Sequence, residues 1–330
     1  MKASFIKKTG GIDVIEYGDL PINEPAGTQV LVRVKAVSVN PIDVYIRAGL
    51  VKFNLPFPYI LGCDVAGVIE KIGPQVTRFK VGDKVWGSNQ GLLGRQGTFS
   101  EFALVEECWL YPMPDSVSFE EAAAISLVGI TAHLGLVKHA QVRAGDIVFV
   151  NGGGGSVGTM VIQMARLLGA RVIASTSGEG KIKLCADLGV EAVVDYKKED
   201  LCKWLKAFYP DGVSIWWENN RNPDLSVAVK SLSENGRLIV LAGRDATPSL
   251  PLGEFYVKQC VMRGFVMFKA SSDEQLQCAQ DINRWMASGR LKAIIDRVLP
   301  LTKTAEAHKV QEDYTIRGIG KLTGKIVVVP

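Results

Sequence analysis

The sequence has little of what several classes of protein require. Its six cysteines are widely scattered and none stands in a CxxC pair, so neither a disulfide framework nor a structural zinc site is indicated. The 38 basic and 34 acidic residues are mixed along the chain and leave a net charge of +4, without a basic run that would follow a phosphate backbone. We therefore expect reduced cysteines and no nucleic-acid partner.

The sequence also lacks an obvious membrane segment. Its longest apolar stretch, residues 122–137, is interrupted by polar residues such as Ser126 and His133, and it falls short of the roughly 20 apolar residues that a membrane span requires. Lysines within the first eight residues break any apolar run that could serve as a signal peptide. We expect a cytoplasmic protein without a membrane partner.

The composition is that of a globular chain, with 47% hydrophobic and 22% charged residues. A length of 330 residues exceeds what one hydrophobic core usually organises, which predicts two domains. Residues 29–37 alternate between apolar and polar, as in a half-buried strand. Further short strands are predicted at residues 65–72, 84–87 and 98–105, separated by Gly, Pro and Asp turns. The first third is therefore expected to be a β-rich barrel.

The pattern changes at Ser118, which reads as the N-cap of a helix with Glu120 and Glu121 in its first turn. From residue 146 onward, apolar strands alternate with helical segments, which predicts parallel strands with right-handed crossovers. The predicted strands are 147–150, 171–174, 192–195, 213–217 and 237–242, and the predicted helices are 157–168, 181–188 and 224–232.

The last part of the chain is predicted to rejoin the first domain. After a segment at residues 263–268, a helix is expected at 273–288 and strands at 296–300 and 325–329. The fold class is thus α/β, with a doubly wound parallel sheet in one domain and a β-rich barrel in the other. We place residues 1–122 and 270–330 in the β-rich domain and residues 123–269 in the parallel-sheet domain.

A glycine-rich turn follows the strand at 147–150 directly. Gly153, Gly155 and Gly158 stand in GxGxxG register, with Ser156 and Val157 between them, before an amphipathic helix. In a dinucleotide-binding turn the first glycine permits the tight turn, the second admits the pyrophosphate, and the third lets helix and strand approach. The strand, turn and helix order favours a nicotinamide dinucleotide over a merely flexible loop.

The end of the second strand bears on the choice between NAD and NADP. An NAD enzyme usually has Asp or Glu there for the ribose 2′-hydroxyl, but residues 175–177 are Ser-Thr-Ser. Lys181 follows and could pair with a 2′-phosphate. NADPH is therefore predicted, although Glu179 on the same loop leaves NADH open.

Four motifs, joined in order, resemble the medium-chain dehydrogenase/reductase superfamily over essentially the whole chain. They are VSVNPIDVY at 37–45, LGCDVAGVI at 61–69, GDKV at 82–85 and the glycine-rich turn. Within that superfamily the chain is similar to the zinc-free NADPH:quinone oxidoreductase (zeta-crystallin-like) branch. The resemblance implies a Rossmann domain, a GroES-like domain and a homodimer.

The residues at the places of the zinc ligands differ from those of zinc-dependent members. Asn40 stands where those members have a Cys, and Cys63-Asp64 stand where they have a His-Glu pair. A catalytic zinc needs about three N, S or O ligands, and the four-cysteine lobe for a structural zinc is absent as well. We therefore expect no metal.

The resemblance also implies roles for individual residues. Beside the nicotinamide and substrate it places Asn40, Asp43 and Tyr45, with Thr131 on the cofactor's other flank. Around the adenosine phosphate it places Ser177, Lys181 and Tyr196. Asn40 before Pro41 could instead form a turn, Tyr45 could be a core residue, and Thr131 could cap a helix. The three histidines, His133, His139 and His308, are expected to be structural.

The loop at residues 216–221, Trp-Trp-Glu-Asn-Asn-Arg, departs from the Asp and Val-Gly pattern of the family. Since that loop normally lies near the cofactor ribose and nicotinamide, the substrate stays open. A quinone is the first expectation, with Asn40 and Tyr45 as hydrogen-bond donors to the developing oxyanion. Reduction of the C=C bond of an enal, enone or enoyl thioester is the alternative. A non-catalytic cofactor-binding protein with a structural or RNA-binding role is a third.

Overall fold

The computed structural model describes all residues from Met1 to Pro330. The chain forms two compact units, one of Met1–Ile130 with Ala270–Pro330 and one of Thr131–Lys269. The second boundary between the units falls between Lys269 and Ala270. The first lies eight residues later than the predicted 122/123, because one continuous helix runs through that position.

The first unit begins with eight strands and two helices. The strands are β1 (Lys2–Ile6), β2 (Glu16–Asp19), β3 (Gln29–Ser38), β4 (Tyr59–Ile60), β5 (Val65–Ile72), β6 (Lys84–Gly87), β7 (Phe102–Glu106) and β8 (Leu110–Pro112). The helices are α1 (Pro41–Arg47) and α2 (Phe119–His133), whose last three residues belong to the second unit. Ser118 caps α2 as predicted, since its Oγ accepts from the Glu121 N–H at 3.2 Å and its own N–H donates to Glu121 at 2.9 Å.

The second unit alternates strands and helices. Its strands are β9 (Ile147–Asn151), β10 (Arg171–Thr176), β11 (Ala192–Asp195), β12 (Val213–Glu218), β13 (Leu232–Val240) and β14 (Val261–Gly264). Its helices are α3 (Ser156–Leu167), α4 (Glu179–Asp187), α5 (Leu201–Phe208), α6 (Leu225–Ser231) and α7 (Leu252–Val257). The chain then returns to the first unit with α8 (Ser272–Ala287), β15 (Ile295–Pro300), α9 (Thr304–Thr315) and β16 (Lys325–Val329).

The second unit is built on one parallel sheet with strand order β11-β10-β9-β12-β13-β14. The order reverses between β9 and β12, which makes the carboxyl ends of these two strands the topological switch point where ligands of such sheets bind. Phe149 on β9 and Trp216 on β12 pack with ring centroids 4.4 Å apart in the core of one face. The predicted doubly wound parallel sheet is confirmed.

The first unit holds a largely antiparallel sheet of order β15-β16-β3-β5-β6-β8, with β7 on β3, and a small sheet of order β2-β1-β4. The final strand β16 pairs with β3, so the tail rejoins the first domain as predicted. The predicted strand at 98–105 begins only at Phe102, because residues 97–99 donate their N–H groups to carbonyls of Ile60 and Leu61. The segment at 263–268 is strand only up to Gly264.

One helical stretch, Phe119–His139, is long and apolar enough by length and composition to cross a membrane, and 78% of its most apolar window is buried inside the protein. It consists of α2 and a π-helical turn at Leu134–His139. The helix is therefore longer than the interrupted sequence run predicted. Because core helices of globular proteins meet the same criterion, this stretch is weak evidence for a membrane span.

Candidate active site

The glycine turn, residues 152–158 between β9 and α3, has a different requirement at each glycine. A Cβ on Gly158 would lie 2.4 Å from the Gly152 carbonyl oxygen, and one on Gly153 would lie 2.7 Å from Ala174 Cβ. Packing within the protein therefore excludes side chains at these two positions. A Cβ on Gly155 would meet nothing closer than 3.5 Å, so the protein's own packing does not require glycine there.

Gly155 is also the N-cap of α3, and no side chain caps this helix end. The first N–H groups of an α-helix have no partner within the helix, and together with the helix dipole they attract an anion. Ser156, Val157 and Gly158 supply these groups. An open glycine at an uncapped helix N-terminus fits the pyrophosphate of a dinucleotide.

On the β10 side of this turn, the predicted adenosine-end residues come together. The Ser177 hydroxyl donates to the Tyr196 hydroxyl at 2.9 Å. A Cβ on Gly154 would lie 2.8 Å from Lys181 Cβ and 2.9 Å from Lys181 Cδ, so the Lys181 stem runs along the turn. A lysine, two hydroxyls and the turn thus form one polar corner that could hold a phosphate.

At the switch point, a buried network joins the carboxyl ends of β10, β9 and β12. Asn151 Nδ2 donates to both Glu218 oxygens at 3.1 and 2.9 Å, and the Ser175 hydroxyl donates to Asn151 Oδ1 at 2.6 Å. Trp216 Nε1 and the Asn220 N–H also donate to Glu218, at 2.9 and 2.8 Å. Burial raises the pKa of Glu218, and these donors oppose the shift by stabilising the carboxylate.

Trp217 faces the opposite side of the sheet from Trp216, as strand alternation requires. A Cβ on Gly135 would lie 2.1 Å from its ring, and Phe265 meets it edge to face with centroids 6.3 Å apart. Trp217 is completely buried. It is therefore a core residue, and its size does not by itself limit the substrate. Its Nε1 donates to Asn219 Oδ1 at 2.9 Å, while Asn219 Nδ2 is buried without a partner.

In the first unit, Asp64 is the centre of a buried polar group that we call the Asp64 cluster, formed with Ser38, Asn40, Ser88 and Lys325. Asp64 lies just before β5 and is fully buried. Its carboxylate accepts from the Ser38 hydroxyl at 2.6 Å, Asn40 Nδ2 at 2.7 Å and the Ser88 hydroxyl at 2.8 Å. The Leu127 N–H also donates to it at 3.0 Å. Four donors satisfy the carboxylate without a metal ion.

Lys325, at the start of β16, contributes a buried ammonium to the Asp64 cluster. Its Nζ donates to the Val39 carbonyl at 2.9 Å and to Asn40 Oδ1, and it lies 3.7 Å from Asp64 Oδ2. Burial lowers the pKa of Lys325, while Asp64 and Asp43 act in the opposite direction. The Asn40 amide is consequently held at both ends, by Lys325 at its oxygen and by Asp64 at its nitrogen.

Asp43 lies beside the Asp64 cluster on the first turn of α1. Its Oδ2 accepts from the Asn40 N–H at 2.8 Å, and the Cys63 thiol interacts with the carboxyl group as well. Burial is the main cause that raises the pKa of Asp43 to about 7, and the nearby Asp64 charge adds to it. Burial also raises the pKa of the Cys63 thiol well above its usual range. Asp43 is thus a group that can hold a proton near neutral pH.

The predicted site residues are therefore divided between the two units. Asn40 and Asp43 meet in the first unit, where Tyr45 is half-buried on α1. Asn40 is completely buried with its amide engaged, so this geometry does not present it as an open donor, unlike the sequence expectation. Thr131 is nearly buried on α2 in the second unit.

Lys325, Ser38 and Ser88 of the first unit are functional-site residues that the sequence did not predict. Lys325 is 285 residues from Asn40 in the chain, so no local spacing connects them. The available signal was a lysine at the head of an otherwise apolar strand, Lys-Ile-Val-Val-Val, since a buried lysine requires a charge partner. In the second unit, Glu218 and Asn219 stand out in the sequence only as departures from a family pattern.

No group of three or more His, Cys, Asp or Glu side chains in residues 1–330 is arranged to hold a metal ion. Cys63 and Asp64 stand where zinc-dependent members of the resembled superfamily have a His-Glu pair, and the Lys325 ammonium lies 3.7 Å from Asp64 Oδ2. A cation site with an ammonium already within 4 Å of its carboxylate is a poor site for a second cation.

Comparisons with known proteins match both units. Residues 26–115 match the alcohol dehydrogenase GroES-like domain family, and residues 156–283 match the zinc-binding dehydrogenase family. A solved structure described as an NAD-dependent alcohol dehydrogenase is similar with a TM-score of 0.90 at 31% identity, covering 100% of both chains. The predicted combination of a GroES-like domain with a Rossmann domain is confirmed.

Two curated relatives align with the whole chain. Human quinone oxidoreductase is 32% identical over 331 residues, which cover 100% of this chain and 98% of that protein. The chloroplastic NADPH-dependent alkenal/one oxidoreductase of Arabidopsis thaliana is 31% identical over 339 residues, which cover 100% of this chain and 80% of that protein. The two names differ in substrate but share the oxidoreductase class.

Proposed function

Because the chain belongs to the quinone oxidoreductase branch of the medium-chain dehydrogenase/reductase superfamily, we propose that it is a zinc-independent oxidoreductase that uses NADPH to reduce a quinone. The observation that carries the proposal is the glycine turn. It combines an open glycine, an uncapped helix N-terminus and a lysine corner at the carboxyl edge of a parallel sheet.

The preference for NADPH rests on the corner formed by Ser177, Lys181 and Tyr196. A 2′-phosphate carries charge that a lysine and hydroxyl donors can meet, whereas NADH requires an acceptor for its 2′-hydroxyl. Glu179, the residue that could provide such an acceptor, is exposed in the first turn of α4. The Arabidopsis relative carries NADPH in its name, while a similar solved structure is described as NAD-dependent.

Gly155 and the N-terminus of α3 would hold a nicotinamide cofactor, which would supply the hydride. The protein then has to orient the acceptor and stabilise the negative charge that develops on its oxygen. We propose the half-buried Tyr45 as the donor to that oxygen, and Asp43 as the group that holds a proton near neutral pH. Asn40 then acts through the Asp64 cluster, which fixes its amide and the start of α1. Thr131 is kept as a proposed cofactor contact.

Reduction of an enal or enone is the second candidate, favoured by the name of the Arabidopsis relative. Steady-state turnover of 1,4-quinones and acyclic enones with NADPH and with NADH tests both proposals. Activity on enones without activity on quinones would reject a quinone as the substrate. NADPH binding without turnover of either class, combined with tight salt-resistant RNA binding in a gel-shift assay, would instead support a non-catalytic role.

Two further measurements test the cofactor and metal proposals. Lys181→Ala should raise the Kd for NADPH far more than that for NADH, because a hydrogen bond to a charged group contributes about 1.5–3 kcal/mol, or roughly 10- to 150-fold. Equal effects on the two cofactors would contradict the phosphate role of Lys181. Stoichiometric zinc in active protein, measured by elemental analysis, would contradict zinc independence.

We also propose a homodimer that pairs through β14. This strand is an edge of the parallel sheet, and Val261 and Met262 on it are each 43% exposed. An exposed strand edge with apolar side chains is a ready surface for a second strand. Light scattering should find a dimer, and Met262→Lys should weaken it; a monomeric parent would reject the proposal. A cytoplasmic location stays a proposal as well, which cell fractionation tests.

A further inference from the structure

Asn219, the residue immediately after β12, has a side-chain donor that the protein leaves unused. Its Oδ1 accepts from Trp217 Nε1 at 2.9 Å, and its Nδ2 is buried without a partner. The indole N–H can only donate, so it requires the amide oxygen to face Trp217. The NH₂ end is therefore held in the opposite direction.

The backbone places this donor next to the glycine turn. The Asn219 N–H donates to the Asn151 carbonyl at 3.2 Å, and a Cβ on Gly152 would lie 3.2 Å from Asn219 Cβ. Asn219 thus stands at the switch point between β9 and β12. The bond from the Asn220 N–H to buried Glu218 at 2.8 Å anchors the loop from its other side.

The strand order indicates which half of a dinucleotide would reach Asn219. The strands β10, β9 and β12 are consecutive neighbours in the sheet. Ser177 follows β10, the glycine turn follows β9 and Asn219 follows β12. A dinucleotide with its adenosine phosphate near Ser177 and its pyrophosphate on the glycine turn must therefore extend its nicotinamide riboside toward the end of β12.

We propose that Asn219 is a cofactor-binding residue whose Nδ2 donates a hydrogen bond to an oxygen of the nicotinamide riboside, with Trp217 as the positioning residue that orients the amide. This inference rests on the proposed function, since it needs a dinucleotide on the glycine turn. A buried N–H without a partner is unfavourable, and the ligand's oxygen removes that deficit. Asn219 thus adds a polar contact to a loop in which the resembled family has a Val-Gly pair.

The test compares two ligands of different length by isothermal titration calorimetry. NADPH spans both halves of the site, whereas adenosine 2′,5′-bisphosphate carries only the adenosine half and does not extend to Asn219. Asn219→Ala should raise the Kd for NADPH about 3- to 10-fold, the effect of one neutral hydrogen bond, and leave the Kd for the bisphosphate unchanged. Asn222→Ala, on the same loop with an exposed side chain, is the matched control and should change neither Kd.

A second variant keeps the test valid if Asn219→Ala folds poorly because Trp217 Nε1 loses its acceptor. The double variant Trp217→Phe/Asn219→Leu replaces both partners with apolar groups, a change that can be nearly neutral for folding, and it should show the same selective loss for NADPH. An unchanged Kd for NADPH, or equal weakening of both ligands, would overturn the role of Asn219. Failure of the wild-type protein to bind either ligand would instead overturn the proposed cofactor.

Discussion

The buried ammonium of Lys325 offers the sharpest test of how the first unit is held together. Replacing Lys325 with methionine keeps most of the side-chain volume but removes the donor to Asn40 Oδ1 and Val39 O, and the charge 3.7 Å from Asp64. Asp64 is fully buried, so water does not replace the missing charge. The carboxylate is left with neutral donors alone.

The size of the effect follows from that burial. Removing one partner of a buried ion pair typically costs about 3–5 kcal/mol, because the other charge stays in a medium of low dielectric constant. The four neutral donors around Asp64 reduce the penalty, so we expect the lower end, about 3 kcal/mol. Neutralising the partner should recover part of it: Lys325→Met/Asp64→Asn should be more stable than Lys325→Met alone by about 1–3 kcal/mol.

Equilibrium urea denaturation of the parent, both single variants and the double variant measures this coupling. Lys84→Met is the control, because the Lys84 ion pair with Asp115 is solvent-exposed and its loss should cost about 1 kcal/mol or less. Additive effects of the Lys325 and Asp64 substitutions, or a Lys325→Met variant as stable as the control, would refute the view that the Asp64 cluster is held together by charge pairing.

Three further predictions concern titration and backbone packing. Because the pKa of Asp43 is raised to about 7, its protonated form stabilises the folded state below pH 4, and this contribution is lost as pH rises through 7. The free energy of unfolding of the parent minus that of Asp43→Asn should therefore fall by up to about 1.4 kcal/mol per pH unit between pH 4 and pH 7. A difference that does not change with pH would contradict the raised pKa of Asp43. Burial lowers the pKa of His308 to about 3, so its contribution is present above pH 6.5 and is lost as pH falls toward 3. The stability of the parent minus that of His308→Leu should decrease on acidification, and an increase would show that the histidine is charged in the fold. Finally, Gly158→Ala should lower the melting temperature, because its Cβ would lie 2.4 Å from a backbone oxygen. Gly155→Ala should instead mainly raise the Kd for NADPH. A destabilised Gly155→Ala variant together with a Gly158→Ala variant that only binds NADPH more weakly would contradict the proposed roles of the two glycines.

Much of the second unit could be predicted from the sequence because its signals are local. The strand at 192–195 follows from a short apolar run and the turn at 153–158 from its glycine spacing, and both patterns are local. The helix α5 was missed, although Asp200 accepts the Lys203 N–H as a local N-cap bond at 3.0 Å. Helix α1 was also missed, since Asn40 before Pro41 suggests a turn as readily as a helix start.

What the sequence by itself determined is the order of elements, the α/β class and the place of the glycine turn, since these depend on periodicity and on backbone freedom at single positions. Tertiary structure alone decided which polar side chains meet. Lys325 reaches Asn40 across 285 residues because β16 pairs with β3, and Glu218 reaches Asn151 because β12 pairs with β9. These contacts depend on sheet order and register, which bring distant chain segments together and leave no local pattern. The same sheet order makes Trp217 a fully buried core residue whose Nε1 donates to Asn219 Oδ1.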